Sequence, residues 1–127
     1  MAAGMTHAHE RRRAPRIAQQ VSLSIVNPRE VIQAETKDLS SSGVYCTLSR
    51  FVALMTKLEL NFTLPGAEAN PIRCTGVIVR VEPPQAESGR STYQAAIFFS
   101  DLSERDRGAI AAFVQHRLHG ATGSAHS

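Results

Sequence analysis

The chain has no tryptophan, only two tyrosines and two cysteines, and no apolar run approaching a membrane span. Each shortage removes a class of function. Without tryptophan, and with Phe62, Phe98, Phe99 and Phe113 at core-like spacings, the aromatic platform that stacks single-stranded nucleic acid is missing. Cys46 and Cys74 lie in separate alternating apolar segments, outside any CxxC or Cys/His pattern with metal spacing. They read as small buried hydrophobes in a reducing compartment. A spanning helix needs about 20 apolar residues, so no membrane insertion is expected. Residues 1–10 are small and polar and lack the apolar stretch of a secretory signal, which makes the cytoplasm the expected location. His7 and His9 form an HxH pair with no further ligand near, so no metal is expected. There is no nucleophile–base motif and no glycine-rich phosphate loop; the chain does not read as an enzyme.

What is present is positive charge in one place. The net charge is +3, modest for a nucleic-acid binder, yet four of the 14 Lys and Arg residues fall in Arg11-Arg12-Arg13-Ala14-Pro15-Arg16. Charge concentrated in this way suits a compact anion better than a polymer. About twenty positions later comes the turn-like run Asp38-Leu39-Ser40-Ser41-Ser42-Gly43. Guanidinium groups match phosphate bidentately and stack on bases. A carboxylate accepts from a ring N–H and an exocyclic amine. Together the two runs suit a small anion with a guanine edge. Taken singly, each residue has a plainer reading: a solvated basic arm, an Asx turn at Asp38, a turn cap at Ser40. Gly43 would supply a positive φ or room for a ligand.

Residues 1–10 read as a disordered tail, and the arm to about residue 16 shows no periodicity. Two-residue alternation then marks six strands: Val21–Ile25, Val31–Lys37, Val44–Leu48, Leu58–Leu64, Ile72–Val81 and Tyr93–Phe99. Asn27-Pro28-Arg29 signals a turn, and Gly76 a bulge or close backbone crossing. Only the end changes period. Ser103 can cap a helix whose stripe is Ile110, Phe113, Val114 and Leu118, with Gly120 as its stop and 121–127 as a frayed tail. The expected fold is mainly β: a six-stranded antiparallel β-barrel over residues 11–120, covered by a C-terminal α-helix. Arg73 and Arg80 belong to a solvated barrel face.

Arg12 and Arg16 match RxxxR, and Asp38, Ser40 and Gly43 match DxSxxG. Both motifs in this order, ahead of these strands and this helix, resemble the PilZ domain from about Glu10 to Leu118. The resemblance implies binding of the bacterial second messenger cyclic di-GMP, with no chemistry done on it and no other cofactor. Arg12 and Arg16 would then meet phosphates and guanine faces, and Arg11 or Arg13 would add a phosphate contact or stack. Asp38 would read the guanine N1–H and N2 amine, Ser40 would donate to an acceptor, and Gly43 would permit close approach. It further implies a stand-alone receptor or adaptor that relays occupancy to an effector protein, in motility, biofilm or related outputs. Two other readings are a non-ligand-binding interaction module of the same fold and a small nucleic-acid-binding barrel.

Overall fold

Alternating apolar residues build a wall of six strands that curves until the two at its ends, Glu30–Ser40 and Gly43–Leu48, pair with each other. The computed structural model describes residues 14–27 and 30–126. Among these lie β1 (Ile17–Ala18), β2 (Ser22–Asn27), β3 (Glu30–Ser40), β4 (Gly43–Leu48), β5 (Lys57–Phe62), β6 (Ile72–Glu82), β7 (Tyr93–Asp101) and α1 (Glu104–His126). The tail 1–10 with His7 and His9, the residues Arg11, Arg12 and Arg13, and the Pro28-Arg29 part of the expected turn lie outside the described residues. Neighbouring strands run antiparallel in the order β3-β2-β5-β6-β7-β4, and β4 pairs back onto β3, which closes a six-stranded barrel. Closure leaves those six strands without a long free edge.

The inward set does the packing. Leu23, Ile25, Leu60, Ile78 and Cys46 are fully buried, and Phe62 stacks on Phe99 at 6.2 Å between ring centres. Each large apolar side chain removed from water in this way stabilises by about 1.5–3 kcal/mol. Burial pushes the thiols of Cys46 and Cys74 up to about 12, with the charges of Asp38 and of Asp106 and Asp101 adding respectively. Both cysteines are free and buried, as small hydrophobes.

Helix α1 begins as the sequence indicates. Ser103 Oγ accepts the Asp106 N–H at 3.0 Å, and Glu104 and Asp106 place carboxylates at the positive end of the helix. Ile110 and Val114 are buried and Phe113 packs beside the core, whereas Leu118 is exposed. The helix also runs through Gly120 to His126, so the expected stop and frayed tail are corrected. A helical glycine costs only about 1 kcal/mol, too little at Gly120 or at Gly123 to end the helix.

Three local expectations change. A two-residue strand, β1, extends the barrel wall on β3, pairing Ile17 with Leu39 and Ala18 with Asp38; two residues carry no readable period. Asp38, Leu39 and Ser40 belong to β3 rather than to a turn, because Leu39 and Ser40 pair with Val44 and Gly43. The turn itself is only Ser41-Ser42. Gly43 does not adopt a positive φ; a Cβ there would sit 2.2 Å from the Ile97 carbonyl oxygen, so the glycine admits the backbone of β7. Gly76 meets the first of its two expected readings, lying at a register shift; a would-be Cβ there meets side chains rather than a crossing backbone, 2.6 Å from Ile97 Cγ2 and 2.8 Å from Leu60 Cδ1.

The two glycines should therefore differ in tolerance. At Gly43 the obstacle is backbone, whereas at Gly76 it is side-chain methyls that can shift. Gly43→Ala should cost about 2–3 kcal/mol and Gly76→Ala about 1–2 kcal/mol, read from urea midpoints at constant slope.

Candidate functional site

Asp38 reaches solvent because of a bulge. Thr36 pairs with Cys46 and Asp38 with Tyr45, which leaves Lys37 as the extra residue of β3. The bulge re-aims the carboxylate to the outer wall, where it lies half-buried. The chain arriving from the other direction is fixed by Thr36. Its buried hydroxyl accepts the Val21 N–H at 2.9 Å and donates to the Gln19 carbonyl at 2.6 Å. These bonds satisfy the backbone where β1 and β2 break apart, and Gln19 N–H donates to the Lys37 carbonyl at 3.1 Å. Arg16 therefore emerges beside Asp38, and its guanidinium donates to the Asp38 carboxylate across 22 positions of sequence.

Below them the β3–β4 turn is held rigidly. Ser40 Oγ accepts the Ser42 N–H at 3.1 Å, meets Ser42 Oγ at 2.9 Å and reaches the Gly43 carbonyl at 3.4 Å. The Ser42 carbonyl takes the Phe99 N–H at 2.9 Å, and Arg107 of α1 donates to the Ser41 carbonyl at 3.0 Å. Ser40 is completely buried, so its hydroxyl serves the turn.

Above the turn lies a shallow groove of about 260 Å³, with Arg16 and Asp38 towards β3, Val79 and Phe98 towards β6 and β7, and Tyr45 of β4 between them. Its floor crosses β4 and β7 at Gly43 and Ala96. Of the residues expected from the sequence, Arg16, Asp38 and Gly43 thus meet at one groove, Ser40 supports it from beneath, and Arg11 and Arg12 lie outside the described residues. Sequence reading missed Tyr45, Val79, Phe98 and Arg107. Phe98 also corrects an expectation: it is 50% exposed rather than part of the core. The signal was available, since strand alternation puts Phe98 outward once Phe99 points in.

The Arg16 and Asp38 side chains are 43% and 29% exposed. A pair this open to water contributes only about 0–1 kcal/mol. It can therefore exchange for ligand contacts at little expense. Carboxylate, guanidinium and flat apolar surface together can bind a phosphorylated purine, and the groove presents no nucleophile–base pair. Among the described residues no three His, Cys, Asp or Glu side chains group to hold a metal, and no helix is long and apolar enough to cross a membrane. A larger groove of about 720 Å³ on the β2–β5–β6 wall is lined by Lys57, Glu59, Arg73 and Asp101. Cations and carboxylates alternate there and no motif residue enters it.

Comparison with known proteins places the fold. The family profile described as PilZ domain matches residues 10–116. The structure of the Bacillus subtilis inhibitor of motility MotI/DgrA is similar, with a TM-score of 0.71 at 18% identity over 87% of this chain and 52% of that one. YcgR from Escherichia coli in complex with c-di-GMP gives 0.70 at 14%, over 91% of this chain and 49% of that one. The PilZ domain of the same protein with c-di-GMP gives 0.64 at 13%, over 92% and 98%. This chain spans about half the length of the first two, and at these identities the likeness is one of fold. The sequence matches no curated protein.

Stability should separate the two kinds of residue at this site. Asp38→Asn should shift unfolding free energy by less than about 1 kcal/mol. Thr36→Val, which leaves the Val21 N–H buried and unpaired, should cost about 1–3 kcal/mol. Thermal or urea unfolding of both variants beside the intact protein checks this.

Proposed function

Because the chain belongs to the PilZ domain family, matched over residues 10–116, we propose that it binds cyclic di-GMP at this groove and relays occupancy to a protein partner. One observation carries the reading: Arg16 and Asp38, each from a different motif, meet at the rim of one groove. On binding, the guanidinium of Arg16 leaves the carboxylate for a phosphate, where it has two parallel donors to offer. Asp38 then accepts from the guanine N1–H and N2 amine, an edge that adenine lacks. Arg11 and Arg12 add their charge from the lead-in to the phosphates. Ser40 and Arg107 act by holding the turn, so the carboxylate is in place before ligand arrives. No bond in the ligand is made or broken; the protein is a receptor.

Relay follows from what shares the site. Helix α1 packs against both β1 and β3, and its Arg107 holds the turn beneath the groove. A ligand that draws Arg16 away from Asp38 therefore acts on elements that α1 touches. Surfaces of the lead-in and of α1 are where a partner would sense occupancy.

A second reading, an interaction module that binds no ligand, is favoured by one feature: Arg16 and Asp38 already satisfy each other. Calorimetry decides between the two. Cyclic di-GMP should bind at micromolar or tighter dissociation constant, roughly −8 kcal/mol or better. Arg16→Ala and Asp38→Ala should each weaken binding by about tenfold or more, the loss of a charge-assisted contact. Asp38→Ala should also erase most of the preference for guanine over adenine. Absence of heat with the intact protein would support the module.

A further inference from the structure

Outward positions on a soluble barrel are ordinarily polar, and two neighbours at this groove are not. Phe98 is 50% exposed and Val79 is 51% exposed. Phe98 stands opposite Gly43 on β4 and Val77 on β6. Val79 is the extra residue where the β6–β7 register shifts between Ile78 and Arg80, so a second bulge brings it to the groove. Between this wall and Asp38 stands Tyr45 of β4, opposite both Asp38 and Ala96, while Gly43 and Ala96 beside it carry no side chain larger than a methyl group. The wall itself carries only methyl and ring C–H groups. Arg80, next along β6, is not among the groove residues and pairs with Glu82 at 3.5 Å.

Distance separates the two ends. From β3 across β4 and β7 to β6 there are three inter-strand steps, about 14 Å in all. That exceeds the length of one purine, so a base held at Asp38 cannot also cover Val79. Resting on the receptor reading above, we infer that Val79 and Phe98 form an apolar wall that takes the face of the ligand's second purine. The groove then reads one base by its edge at Asp38 and the other by its face alone. Stacking of this kind is tolerant of base identity, because every base has a π-face. The ligand class is accordingly wider than cyclic di-GMP: it includes a hybrid cyclic dinucleotide with one guanine and one adenine, and excludes the one with two adenines.

Calorimetry on the full chain tests this with cyclic di-GMP, cyclic GMP–AMP and cyclic di-AMP, and with Phe98→Ala and Val79→Ser. For the intact protein the hybrid should bind within about threefold of cyclic di-GMP, since the second base contributes through its face. Cyclic di-AMP should bind at least about thirtyfold more weakly, having no edge for Asp38. Phe98→Ala should weaken cyclic di-GMP about tenfold, the usual scale of a lost stacking platform. Val79→Ser should weaken it in the same direction. A hybrid as weak as cyclic di-AMP overturns the inference, as do Phe98→Ala and Val79→Ser both within twofold of the intact protein. The dinucleotide series uses intact protein, so it does not depend on how well either variant folds. Failure of the intact protein to bind any of the three overturns the receptor reading itself, a different result from binding that ignores the wall.

Discussion

The ladder along β3 is the constraint on which the rest depends. One edge of this strand carries β2 and then β1, and the other carries β4, which closes the barrel. The same strand holds Thr36 facing in and, one bulge later, Asp38 facing out. Barrel closure, anchoring of the basic lead-in and display of the carboxylate are therefore one structural event. Without the bulge at Lys37 the carboxylate would lose its aim, because one residue of slip turns a strand's side chains to the other face.

A second contrast gives the site its character. The turn beneath the groove is held by hydrogen bonds from Ser40, Phe99 and Arg107, all within ordinary bonding distance. The ion pair above it is solvated and weak. A firm base with a loose lid suits the proposed receptor role, in which the geometry would be built before a ligand arrives and only the Arg16–Asp38 contact would be given up. Preorganisation of this kind raises affinity by reducing what must be ordered on binding.

Much of this was legible in the sequence, for reasons particular to each residue. Alternation in Leu58–Leu64 and Tyr93–Phe99 exposed the strands, and Ser103 exposed the start of the helix, because local chemistry decides both. The motif pairing of Arg16 with Asp38 was readable because those residue types suit few other joint purposes. What escaped was set by tertiary neighbours. Gly43 owes its identity to the Ile97 carbonyl of a strand more than fifty residues away, and no local pattern announces that contact. Val79 reaches the groove through a register shift, and Ser40 sank beneath the turn because the ladder continued two residues past Asp38. The helix passed Gly120 and Gly123 because glycine by itself is a weak stop.

The most direct test is proton NMR of guanine imino signals in the complex with saturating cyclic di-GMP. A guanine whose N1–H is donated to Asp38 should show a protected, downfield imino resonance with cross-peaks to amides of β3 and β4, and Asp38→Asn should abolish it. Bound ligand with no such resonance, or with cross-peaks to the β2–β5–β6 wall instead, would contradict the assignment of Asp38 as the guanine reader.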